Sequence, residues 1–277
     1  MLGLGMPDTA VWSERVTVVL GQNPGPFTGP GTNTYLVGTG GRPLLLDTGQ
    51  GLPAYPPLLE QALHDVRPSD GLQEIVLTHG HVDHIGGVAD VQQRFGPLTV
   101  SKKPWAKLDG ELTVHAVDDG SEISTEGATL QAIWTPGHAW DHLCWYMPEE
   151  RALFTGDVVL GAGTTVIPPD GDLGDYLDSL RRLLTCDAAV IYPAHGPAIR
   201  NPREKIESYL AHRALRDEQI LAGLRDGVHS VTALVKRIYT DVPEFLHGAA
   251  GMSVTAHLRK LERDGSVRHQ GDEWHAV

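Results

Sequence analysis

The chain has 277 residues, 41% of them hydrophobic and 21% charged, which excludes wholesale disorder and gives one large domain or a main domain with an appendage. No apolar run approaches the roughly 20 residues that cross a bilayer, so a membrane-spanning class is excluded, and Met1–Val16 lacks the basic start and apolar core of a secretory signal. The net charge of −13 lies in residues 1–200, with 24 acidic and 11 basic side chains against 11 of each in 201–277, so the larger part repels a bare polyanion unless something local supplies positive charge.

In chain order, short apolar runs stop at polar turns marked by Gly or Pro. Pro43–Leu46 ends at Asp47-Thr48-Gly49, and Glu74–Leu77 at Thr78-His79. Leu130–Trp134 ends at Thr135-Pro136-Gly137-His138, Ala152–Phe154 at Thr155-Gly156-Asp157, and Ala189–Tyr192 at Pro193-Ala194-His195-Gly196. Such runs read as buried strands. Helical stripes lie between them: Leu58, Leu59, Ala62 and Leu63, then Val88–Phe95 after Gly86-Gly87, then Tyr176, Leu177, Leu180, Leu183 and Leu184. Strands covered by other strands and by helices give a layered α/β domain whose turns converge at the sheet ends.

Pro202 marks a boundary, so 1–201 is expected as the main domain and 202–277 as a helical appendage. In the appendage, 203–225, 231–239 and 253–263 read as helices, and 266–269 with 274–277 as a two-stranded wing.

Chemistry concentrates in His79-Gly80-His81-Val82-Asp83-His84. Residues two apart on an extended turn point the same way, so His79 and His81 can share one ion while Asp83 and His84 face a second. One ion needs more than two protein ligands, and His138, Asp157 and His195, each after a strand, are the candidate further donors.

These residues, with Asp47 in its Leu-Leu-Asp-Thr-Gly segment, resemble the metallo-β-lactamase superfamily over nearly all of 15–200. The strings Asn23-Pro24-Gly25-Pro26, Gly31–Gly40, Thr125–Leu130 and Thr135–His138 are similar to its beta-lactamase-like protein 2 branch. The resemblance implies a four-layer αββα sandwich with a small C-terminal winged-helix segment, and two Zn²⁺ ions. His79, His81 and His138 would hold one ion, Asp83, His84 and His195 the other, and Asp157 would bridge them. A metal-bridging hydroxide would attack the substrate, with Asp83 as the catalytic group orienting it; other divalent metals would serve. Gly80 departs from the branch, which carries an aromatic there, and so alters the expected pocket floor.

Around this centre, Asp47, Asp141 and His142 are expected to brace ligands. Asn33 and Thr34 follow a Gly-Pro-Gly turn and are expected either to touch substrate or to stabilise that turn. Arg259, Lys260, Arg263 and Arg268 offer the tail a basic cluster for nucleic acid, but its zero net charge favours a packing cap. The resemblance implies a zinc-dependent metallohydrolase acting as an endoribonuclease or phosphodiesterase on single-stranded RNA. The alternative is an acyl-bond hydrolase (thioesterase, lactonase or weak β-lactamase), for which the acidic domain favours a small-molecule substrate. No membrane or stable protein partner is expected, and oligomeric state stays open. Two cysteines, Cys144 and Cys186, suit a reducing cytoplasm rather than a disulfide framework.

Overall fold

The computed structural model of the chain describes residues 3–66 and 70–277. Its contacts divide it into two units: one comprising the residues up to Thr135, Trp140–Thr164 and Cys186–Pro202, the other Pro136–Ala139, Thr165–Thr185 and Arg203–Val277.

The first unit holds two sheets. One runs in spatial order through β1 (Thr9–Val11), β2 (Val16–Leu20), β3 (Asn33–Val37), β4 (Leu44–Leu46), β5 (Ile75–Val76), β6 (Val100–Lys102) and β7 (His115–Ala116). The other contains β8 (Glu122–Thr125), β9 (Ala128–Trp134), β10 (Leu143–Met147), β11 (Ala152–Gly156) and β12 (Val190–Pro193), in the order β12-β11-β10-β9-β8. Side chains alternate across a strand, which explains the continuous apolar runs. Tyr35, Val37, Leu44 and Leu46 face a core shared with Leu130, Trp145 and Phe154 of the second sheet, while Leu36 and Leu45 face the opposite way. There they meet Leu59 and Leu63 of α1 (Tyr55–Val66) and Val88 and Val91 of α3 (Val88–Phe95). Two single-turn helices, α2 (Val82–Ile85) and α4 (Ala106–Asp109), complete this unit.

The five runs expected as strands are β4, β5, β9, β11 and β12, and the stripe after Gly86-Gly87 is α3. The motif at residues 79–84 is not wholly an extended turn, because Asp83 and His84 lie in α2.

The second unit contains α5 (Leu173–Leu183), α6 (Pro202–Arg225), α7 (Val231–Ile238), α8 (His247–Arg263) and the hairpin β13 (Val267–Gln270) with β14 (Glu273–Ala276). Ile220, Leu224, Leu234, Val254, Leu258 and Trp274 form its core. Asp172 and Ser230 cap α5 and α7 by accepting the backbone N–H of Asp175 and Ala233. α8 starts at His247, well before the expected 253, because Ala250 packs into that core despite the helix-weakening glycines of His247–Gly251. Among the described residues, no helix is long and apolar enough to cross a membrane.

Candidate metal centre

The ends of three strands supply the donors. β5 leads into Thr78 and the histidine motif, which is tied to β10 by the Leu143 N–H donating to the Thr78 carbonyl at 2.8 Å. α2 is a single turn opened by His81, so Asp83 and His84 return toward the strand end. β11 ends on Gly156, whose φ of +47° turns the chain into Asp157; a Cβ there would stand 2.5 Å from His142 Nε2. β12 ends on Pro193, two residues before His195.

Within the first unit, His79, His84 and Asp157 bring ligand atoms within 4.8 Å of one another, and so do Asp83, His84 and His195. His79 Nε2 lies 2.9 Å from His81 Nδ1. His195 Nε2 stands 3.3 Å from Asp83 Oδ2 and 3.2 Å from Asp157 Oδ1, and His84 Nε2 stands 3.5 and 3.6 Å from the same two oxygens. His138 belongs to the second unit, where its Nδ1 approaches the Val166 carbonyl at 3.0 Å.

Imidazole tautomers follow from the surroundings. Asp47 accepts the Thr78 N–H at 2.8 Å and the Thr78 hydroxyl at 2.9 Å, and its Oδ2 lies 2.8 Å from His84 Nδ1. That carboxylate holds a proton on His84 Nδ1 and leaves Nε2 toward the site. Because the Thr78 hydroxyl donates to Asp47, it accepts from His79 Nδ1 at 3.0 Å, so His79 Nε2 carries the lone pair. Asp47 adopts φ +60°, a conformation that costs a non-glycine residue free energy and here aims its carboxylate.

His84 Nε2 is buried with no hydrogen-bond partner among the described residues, yet faces two carboxylates. A bare lone pair against Asp83 and Asp157 is repulsive, so the group of atoms requires protons or cations between them. Burial opposes charge on His84, but Asp83, Asp47 and Asp157 hold its pKa well above the usual imidazole range. Burial likewise lowers the pKa of His195, and Asp157 and Asp83 outweigh it to raise the value to about 9. Burial pushes the Asp83 carboxyl upward, while His84 and His195 pull it down to about 2; Asp157 is held well below the carboxylate range despite its burial, chiefly by His195 and His84. An imidazole and carboxylate donor set whose charges need compensation fits divalent ions.

The flanking residues act as braces. His142 Nε2 accepts the Asp157 N–H at 3.2 Å, so its Nδ1 carries the proton and faces Thr135 Oγ1 at 2.9 Å. Asn33 and Thr34 are fully buried rather than open to substrate. Asn33 Nδ2 donates to the carbonyls of Pro193 and Gly196, each at 2.8 Å, clasping the turn that carries His195, and the Thr34 hydroxyl donates to the Val19 carbonyl. Asn33 thus braces the turn of His195 rather than the Gly-Pro-Gly turn before it, and Thr34 links β3 to β2. Leu108 fills the space beside Gly80, since a Cβ there would lie 2.7 Å from Leu108 Cβ. Lys102, which no sequence motif marks, is fully buried and ion-paired to Asp141 and Asp109.

In the second unit, the Arg259 guanidinium donates to the Pro169 carbonyl, Lys260 pairs with Asp217 and Asp264, and Arg263 pairs with Asp172; Arg268 is exposed.

Residues 27–195 match the metallo-beta-lactamase superfamily and residues 230–274 match the beta-lactamase associated winged helix domain. The chain is 40% identical to a beta-lactamase-like protein 2 homolog of Caenorhabditis elegans, over 93% of this chain and 87% of that one. It is 39% identical to an atrochrysone carboxyl ACP thioesterase of Paecilomyces divaricatus, over 95% of this chain and 84% of that one. Its fold is similar to the crystal structure of a metallo-beta-lactamase family protein from Thermus thermophilus, with TM-score 0.82, 24% identity, and coverage of 96% and 100% of the two chains.

Proposed function

Because the chain belongs to the metallo-beta-lactamase superfamily and is a hydrolase of that family, we propose that it is a two-zinc enzyme that cleaves acyl bonds, with a thioester as its substrate class. The observation that carries the metal reading is His84, buried, fixed by Asp47, and directing an unpartnered nitrogen at Asp83 and Asp157. In this reading His79, His84 and Asp157, with Asp83 and His195, would hold divalent ions, and His81 and His138 would be the further donors that the family resemblance implies. Bound divalent ions supply an acidified water and polarise the attacked oxygen.

The chain's own groups do the rest. Asp83, flanked by His84 and His195, accepts a hydrogen bond from the attacking water and orients it. His142 holds the backbone of Asp157, and Asn33 holds the turn of His195, so both donors are preorganised.

The preference for acyl bonds over RNA rests on charge. RNA binding draws on cations free to meet phosphates, whereas Arg259, Lys260 and Arg263 are engaged within their own unit and the chain carries −13. The relative named as an acyl carrier protein thioesterase supports the same choice.

The test combines metal analysis of the purified protein with steady-state assays on thioesters, lactones, lactams and a short single-stranded RNA. Two equivalents of metal and turnover of the thioesters are expected. Turnover of RNA alone would replace the acyl reading with the phosphodiesterase one, and full activity after complete metal removal would end the metal reading.

A further inference from the structure

We propose that Lys102 is a positioning residue for the metal centre, clamping the turn between His79 and His81 through Asp141. The inference rests on the metal reading above and adds a residue to it. Lys102 closes β6 with its side chain fully buried, and its ammonium meets three acceptors: Asp141 Oδ2 at 2.5 Å, Asp109 Oδ1 at 2.6 Å and its neighbour's carbonyl, Lys103 O, at 2.8 Å. The ammonium donates hydrogen bonds to Asp109 and the carbonyl and is ion-paired to Asp141.

Both carboxylates act on the motif. Asp141 lies against the turn, since a Cβ on Gly80, the residue between the two histidines, would stand 3.1 Å from Asp141 Oδ2. Asp109 ends α4 and its Oδ2 accepts the Trp105 N–H at 2.6 Å, fixing the helix whose Leu108 also packs against Gly80. Gly80 is therefore flanked by a carboxylate and an apolar side chain, and one buried cation is paired with that carboxylate and with Asp109, which ends the helix carrying Leu108. A lysine with no solvent contact is costly to bury, and here two carboxylates and a carbonyl offset that cost.

The geometry predicts an asymmetric effect. Gly80 adjoins His79 and His81, whereas the partners of the second ion are held by Asp47, His142 and Asn33, which Lys102 does not touch.

The experiment titrates the full chain with zinc against a chelating competitor and follows hydrogen exchange of the Gly80 amide, for wild type, Lys102→Met and Asp141→Asn. Asp141→Asn leaves Lys102 its partner Asp109 and serves if Lys102→Met does not fold. One zinc is expected to weaken on the order of tenfold or more while the other stays within about twofold, with faster exchange at Gly80. Wild-type binding of both ions in either variant, or parallel loss of both, overturns the proposal. A wild-type protein that takes up no zinc overturns the metal reading instead.

Discussion

The imidazole of His84 and the carboxylate of Asp47 lie 2.8 Å apart, both almost fully excluded from solvent, and this pair sets which nitrogen of His84 faces the site. Asp47→Ala removes the acceptor of His84 Nδ1 and of the Thr78 N–H together. Zinc affinity is expected to fall about 10–100-fold. Stability is expected to fall by about 1–3 kcal/mol through the unsatisfied donors, and chelator competition and denaturant titration read the two effects.

Removing a shared donor differs from removing the group that orients water. Asp157→Ala and His81→Ala are expected to lose metal and activity together, whereas Asp83→Ala keeps part of its metal but loses turnover by on the order of 10²–10⁴-fold. A fully active Asp157→Ala protein with two metals would contradict the bridging role; metal content beside kcat decides.

Protons and metal ions compete for the same atoms. In the metal-free protein burial lowers the pKa of His195, but Asp157 and Asp83 outweigh it and raise the value to about 9. That stabilisation is complete below about 6.5, the unfolded value, and disappears as pH rises through about 9. The Tm of metal-free protein is therefore expected to decline over this window. Zinc-loaded protein lacks this decline, and zinc uptake at pH 7 releases protons, which calorimetry in buffers of different ionisation enthalpy measures. At the acid end, Asp83, lowered to about 2, contributes above about 3.8 and loses that contribution as pH falls to about 2.

Asn33 braces the β12 turn from inside. Asn33→Ala leaves the Pro193 and Gly196 carbonyls without this donor, so a loss of about 1–3 kcal/mol is expected, with kcat falling through displacement of His195. A raised KM with unchanged Tm would identify a substrate contact instead.

Arg263 and Asp172 form a solvent-exposed pair, their side chains 55% and 32% accessible. Arg263→Ala is expected to cost no more than about 1 kcal/mol and to leave thioester kinetics unchanged. A large, salt-dependent loss of RNA affinity in that variant would favour the nucleic-acid role for the tail.

The candidate donors stand out in the sequence because each follows a short apolar run or sits in the dense motif at 79–84, and strand ends are a local property of hydrophobic periodicity. Strands such as β2 and β10 were not singled out, and α2 is a single turn too short for any period to register. The start of α8 was hidden by glycines that packing around Ala250 overrides.

Residue identity and spacing alone thus determined the family, the layered strand plan and the inventory of imidazoles and carboxylates. Tertiary structure decided what orients them. Asp47 reaches Thr78 across 31 positions, His84 across 37, and Asn33 reaches Pro193 across 160, and no local pattern encodes contacts at such separations. The same holds for Lys102: a lone lysine closing a strand resembles a solvated end until folding removes its water and leaves Asp109, Asp141 and a carbonyl as its only partners among the described residues.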